Sequence, residues 1–259
     1  MKKIFAIGIV MFTLSVPVFA ENNYQIVGVG LSFQRGFFGI GASYLVERED
    51  NLRLGAGLSF GFSTDNFYTF DIRSSEFTVG ISGLIGRNFG QIFADLGLSL
   101  GYGRVTAQED GLWFFQNSPF VRSGDALFNS FSLGFSPGIG THINAGNVII
   151  IPRLAMPFSW LWSAGTDGIN RELSAELSYW IDGVARSNLI RDISINIFRL
   201  SLQPGVSVLL EHFYVGFSIN IPLLINSEVD IAFVDNSSFS ERSRGDRNVG
   251  VSFSVAYRF

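Results

Sequence analysis

The chain ends on Asn248-Val249-Gly250-Val251-Ser252-Phe253-Ser254-Val255-Ala256-Tyr257-Arg258-Phe259, and the reading of this stretch decides the fold. Val249, Val251, Phe253, Val255, Tyr257 and Phe259 are apolar, and every residue between them is small or polar. Successive side chains of a strand point to opposite faces, so the segment presents one apolar face and one wet face. Its length suits a tilted strand crossing a bilayer, for which about 9–11 residues are enough.

Working outward, the same alternation predicts strands over residues 24–33, 37–46, 52–62, 76–86, 91–104, 126–142, 148–161, 198–210 and 213–224, with 248–259 as the tenth. On strand three, for example, Leu52, Leu54, Ala56, Leu58, Phe60 and Phe62 alternate with Arg53, Gly55, Gly57, Ser59 and Gly61. Short turns at 47–51, 87–90, 143–147 and 211–212 fall on one side. The longer polar segments 63–75, 105–125, 162–197 and 225–247 fall on the other, where only the turn at 34–36 is short. Residues 162–197 are the hardest to place. The alternation within 172–181 reads as a wall extension into a long folded loop, and an error there would make the count eight or twelve. Pro137, Pro152, Pro157, Pro204 and Pro222 each lack a ladder donor and imply bulges or strand ends.

The opposite end of the chain bears on its compartment. Residues 1–20 have the form of a secretory signal peptide: Lys2-Lys3, an apolar run, then Val18-Phe19-Ala20 before Glu21, which predicts cleavage after Ala20. Residues 21–259 then form one domain. Both lysines lie in that leader, leaving sixteen arginines against twenty-two acids and a formal charge of −6. An acidic chain with no basic cluster offers no footprint for nucleic acid. There is no cysteine, so neither disulfides nor an N-terminal lipid anchor on Cys is available.

Hydrophobic residues make up 47% of the chain, with 27 phenylalanines, and charged residues only 15%, against about 25% in ordinary soluble domains. That balance suits an outer surface solvated by lipid. No stretch after the leader reaches about 18 apolar residues without a charge, so spanning helices are not available; the nearest, 148–164, is broken by Pro152, Arg153 and Pro157. In hydrocarbon only helices and closed barrels satisfy every backbone group. The expectation is therefore an all-β chain forming a closed antiparallel transmembrane β-barrel of about ten strands. The rival is a soluble β-sandwich, which would have to bury the apolar face of every strand.

A chain that ends on an amphipathic strand with a terminal Phe resembles bacterial outer-membrane β-barrels. In that family the last strand is the signal read by the barrel-assembly machinery. The resemblance extends in pattern over residues 21–259, and its specific motifs are the leader and the terminal strand. It implies an outer-membrane location, with membrane lipids and the assembly machinery as partners and Phe253, Val255, Tyr257 and Phe259 as the assembly signal. It also implies that both termini lie on the periplasmic side, which puts the short turns there.

Chemistry is sparse. His142 and His212 both fall at the periplasmic end, so the rim arrangement of acid and His in omptin proteases is absent, and no enzyme is expected. No spacing suits zinc, and no cofactor is expected. Glycine-rich runs such as 97–103 are not followed by a helix, so they are not phosphate loops. Inward positions are mostly Gly and Ser, and the inward charges Arg53, Glu76, Asp95, Arg153, Arg199 and Arg258 are the candidate lumen residues. Two functions fit: a narrow passive pore tuned by those charges, or a non-conducting structural barrel that meets an extracellular ligand through loops carrying Trp113, Phe114, Phe115, Arg242, Arg244 and Arg247.

Overall fold

In the computed structural model of the chain, the described residues are 24–67, 72–107, 126–164, 190–233, 238–244 and 248–259. The expected signal peptide and its cleavage site lie outside them, as do residues 172–181 and the loop residues Trp113, Phe114, Phe115 and Arg247. The described chain is all strand: β1 (Tyr24–Gln34), β2 (Phe37–Glu47), β3 (Leu52–Phe67), β4 (Ile72–Phe89), β5 (Ile92–Ala107), β6 (Ala126–Thr141), β7 (Ile143–Ala145), β8 (Val148–Ala155), β9 (Phe158–Ala164), β10 (Ile190–Leu210), β11 (Phe213–Phe233), β12 (Ser238–Arg244) and β13 (Gly250–Arg258). Every pairing is antiparallel, and β13 pairs with both β11 and β1, which closes the sheet on itself.

The wall is a closed barrel of ten strands, because two of them are interrupted. β8 and β9 share one register against both neighbours: Ala155 lies opposite Gly138 and Phe158 opposite Phe135 on β6, and β10 is met in the same continuous order. The interruption falls where Pro157 and, across the ladder, Pro137 lack donors. Bonding continues across it, Met156 N donating to Pro137 O at 2.9 Å and Ser201 N to Pro157 O at 2.9 Å. β12 is likewise the upper part of the tenth strand, since Arg244 opposite Asn226 and Gly250 opposite Asn220 follow one register on β11. The small β7 pairs only with β8, inside the turn.

Outward positions form a continuous apolar belt. Val29, Ile81, Leu98, Val215 and Phe253 are each at least half exposed on the outside of the barrel. A belt of this kind is costly in water, and a closed sheet leaves no polar edge in lipid. The barrel therefore spans a membrane. Aromatic rings gather at both margins of the belt: Tyr102 on Phe131 and Phe131 on Trp162 at one, with ring centroids 5.5 and 6.2 Å apart, and Phe213 and Phe259 against Tyr257 at the other, at 5.1 and 4.8 Å. Aromatics favour the membrane–water boundary for their combined apolar and polar character.

The longer segments are more regular than the sequence suggests. β3 continues to Phe67 and β4 begins at Ile72, within the expected loop 63–75. β10 begins at Ile190, inside the expected loop 162–197, while β11 runs to Phe233 and β12 occupies part of the expected loop 225–247. For β10 and β11 the reason is a bulge. Leu200 pairs with Leu224 but Ser201 with Pro222, leaving Leu223 as the extra residue on β11. Beyond it Ile197 and Ile225 share the lumen face with Arg199, while Asn196, Asn226 and Glu228 are outward. A strand that has left the bilayer carries polar residues outside, which from sequence alone resembles a loop.

Candidate functional site

The barrel wall has no conventional core, and its lumen has two unlike halves. Away from the end bearing the short turns, inward residues are chiefly glycine and serine, and they leave two adjoining cavities of about 330 and 580 Å³. Ser43 and Ser82 line both. Alternating glycines keep the wall thin, and hydroxyls supply neutral donors and acceptors.

At the end bearing the short turns, side chains fill the lumen. Phe93, Ile151 and Leu209 pack together with Ile149 and Tyr214 against them, and Phe93 is only 1% exposed. Above this apolar layer lies a charged one. Asp95, two residues along β5 and on the same face as Phe93, accepts from Arg153 Nη2 at 2.6 Å and from Arg153 Nε at 3.3 Å. Arg53 of β3 brings Nη1 to 3.6 Å from the other side of the same carboxylate and Nε to 3.0 Å from Glu47. These two Arg53 contacts are pairings of charge, since neither nitrogen has an aligned hydrogen bond. The Arg53 guanidinium also stands 4.0 Å from the centre of the Phe93 ring, a cation–π contact that joins the two layers. The Asp95 side chain is 1% exposed, so removing its partners would leave a buried charge unpaired.

This floor requires two glycines on β6. A Cβ at Gly138 would come within 2.6 Å of Asp95 Oδ1 and 2.7 Å of Arg153 Nη2; one at Gly140 would come within 2.7 Å of Phe93 Cε1 and 2.8 Å of Pro152 O. Only a residue without a side chain lets both layers lie against the wall there.

The six expected lumen residues thus divide. Arg53, Asp95 and Arg153 come together in the floor. Glu76 stands near the other end and accepts from Ser130 Oγ at 3.0 Å. Arg199 is exposed and pairs across the ladder with Ser159. Arg258 lies at the margin bearing the short turns, its guanidinium 3.6 Å from the centre of the Tyr24 ring. The residues assigned to the assembly signal, Phe253, Val255, Tyr257 and Phe259, are all exposed on the lipid face. Glu47, Phe93 and Leu209 were not singled out from sequence. The available signal was a large apolar residue at an inward position, Phe93 before Asp95-Gly97-Ser99 and Ile149-Ile151 before Arg153.

Both histidines sit at the floor end. The His142 ring is 5.2 Å from that of Phe93, and His212 Nδ1 is 3.2 Å from Arg258 O. Among the described residues, no three His, Cys, Asp or Glu side chains are grouped to hold a metal. At the far end, Arg242 on β12 donates from Nε to Glu228 Oε1 at 2.7 Å on the outer face of the hairpin. Glu228's hydrogen bond, and then its charge, raise the pKa of that guanidinium. Arg244 stands opposite Asn226.

No protein-family model matches the chain, and no curated protein matches it. Among solved structures, it is similar to the translocator domain of the autotransporter NalP from Neisseria meningitidis, at a TM-score of 0.42 and 12% identity over 100% of this chain and 96% of that one. It is also similar to the beta domain of the Bordetella autotransporter BrkA, at 0.41 and 12% over 92% and 98%. A third likeness is to a major outer membrane protein from Thermus thermophilus, at 0.40 and 12% over 92% and 100%.

Proposed function

We propose that this chain is a bacterial outer-membrane barrel that provides a narrow path for small solutes, closed at its periplasmic end in the conformation described. Export through a leader cleaved after Ala20 and insertion by the barrel-assembly machinery through the last strand belong to the same reading, as does the absence of catalysis. The observation that carries it is the contrast within one lumen: an open Gly/Ser-lined volume of about 580 Å³ ends on a floor held by one carboxylate between two guanidinium groups. A barrel that served only as a scaffold has no need of a thin, sparsely charged, unfilled upper lumen, since small barrels can fill theirs with side chains. Charged linings set ion preference in such paths, and the floor charges are the ones a solute would have to pass.

The test is conductance of the refolded mature protein in planar bilayers, comparing wild type with Arg153→Glu. The substitution places a second carboxylate beside Asp95 and repels it. Expected are infrequent openings for wild type, and more frequent openings with reduced anion preference for the variant. A folded variant as silent as a silent wild type would sink the path. The second reading, a non-conducting barrel acting on an extracellular ligand, draws on the filled floor and on the projection of β10, β11 and β12 beyond the bulge. It predicts silence in both proteins.

A further inference from the structure

Near the lumen end remote from the floor, one aromatic side chain breaks the Gly/Ser pattern. Phe37, the first residue of β2 after the turn at Arg35-Gly36, is inward and lines the larger cavity. The row of residues just below it runs Ser32 on β1, Gly39 on β2, Gly61 on β3 and Thr78 on β4, each opposite the next in the ladder. The far half of the Phe37 ring rests over both glycines. A Cβ at Gly39 would lie 3.1 Å from Cε1 and 3.3 Å from Cζ, and one at Gly61 would lie 2.7 Å from Cε2 and 2.8 Å from Cζ. Ser32 Oγ reaches the same point over Gly39, and Thr78 Oγ1 the same point over Gly61. The ring is therefore supported by bare backbone on one side and flanked by a hydroxyl at each end, with the cavity beyond it.

We infer that this shelf binds a neutral hydroxylated ring of the pyranose class. It deepens the solute-path reading by naming a solute, and rests on that reading for the ligand's route. A pyranose has an apolar C–H face, which packs on an aromatic ring, and a rim of hydroxyls, which require both donors and acceptors. Ser32 and Thr78 offer both functions in one group. A hydrocarbon ring would leave these hydroxyls unpaired once water was displaced, a cost of buried polar groups without partners. The nearby walls are chiefly glycine and serine; the Glu76 carboxylate beside Thr78 accepts from Ser130 Oγ, and Asp95 and Arg153 are committed to each other in the floor.

The experiment is saturation-transfer NMR on the full mature protein in detergent micelles, with methyl β-D-glucopyranoside and, separately, toluene as ligands. Folding of every variant is checked by its faster migration on unheated gels. Expected is transfer to the C–H protons of the glucoside in wild type, retained in Phe37→Trp and lost in Phe37→Leu, which keeps an apolar group over the glycines but has no ring. Absence of transfer in wild type overturns the shelf. So does transfer to toluene alone, or a glucoside signal undiminished in Phe37→Leu. If Phe37→Leu does not fold, Thr78→Val serves instead: loss of transfer supports the shelf, and an unchanged signal overturns it. The readout does not require conduction, so bilayer recordings of the same preparations separate the two claims. A conducting barrel without glucoside transfer retains the path and loses the shelf, and a silent one with transfer does the reverse.

Discussion

Two ion pairs at opposite ends of the barrel have almost the same length and very different surroundings. Arg153 Nη2 lies 2.6 Å from Asp95 in the floor, with side-chain exposures of 33% and 1%. Arg242 Nη2 lies 2.7 Å from Glu228 on the outer face of the upper hairpin, with exposures of 82% and 33%. Distance alone would rank them as equals. Burial separates them, because the floor pair is joined by Arg53 and Glu47 over a packed apolar layer, whereas water screens the hairpin pair. The first ties together the side chains that fill one end of the lumen; the second decorates a wall whose backbone ladder is already complete.

The sharpest way to break that contrast is Asp95→Ala. It leaves Arg153 without its carboxylate and Arg53 with Glu47 alone, and removing one member of a buried charge cluster costs about 3 kcal/mol. Urea unfolding in detergent micelles should show a loss of that order, and bilayer recordings should show a floor that opens more often. Stability equal to wild type would mean that water already reaches the cluster. Gly140→Ala attacks the same floor from the wall by driving a methyl group into the Phe93 ring and toward Pro152 O. Overpacking of this kind costs about 1–3 kcal/mol, to be read as a lower unfolding midpoint, and a neutral result would show that Phe93 can turn aside. The smallest effect belongs to Arg242→Ala. No measurable change in unfolding midpoint or conductance is expected, and a clear loss of stability would place the hairpin pair on a par with the floor.

The comparison also separates what could be read from the chain from what could not. Outward residues on β1 to β6 follow the period-two pattern so closely that strand identity and facing are legible position by position. Lipid outside and polar lumen inside impose one constraint on every strand. Pro157 and Pro222 were legible as sites of interruption, and both occur where a wall strand breaks or bulges. The upper parts of β10, β11 and β12 were not legible. Outside the bilayer the outward residues turn polar, and the bulge at Leu223 shifts the phase of the alternation, so Asn226 and Glu228 read as loop. Of the candidate site, the inward charges could be named individually, but nothing in their spacing indicates that Arg53, Asp95 and Arg153 meet while Glu76, Arg199 and Arg258 stand apart.

By itself, the sequence determined a wall: alternating strands, an apolar exterior, a Gly- and Ser-rich interior and a terminal strand able to close the ring. These follow from local periodicity and composition, since each residue's facing depends only on its parity along its own strand. The state of the lumen was decided by tertiary structure alone. Asp95 on β5 lies opposite Gly138 on β6, which lies opposite Ala155 on β8, and across those small residues Arg153 reaches back to the carboxylate. That meeting depends on the register between strands: Gly138 and Gly140 can be read in β6 itself, but that Asp95, Arg153 and Phe93 lie against them cannot be read from any single strand.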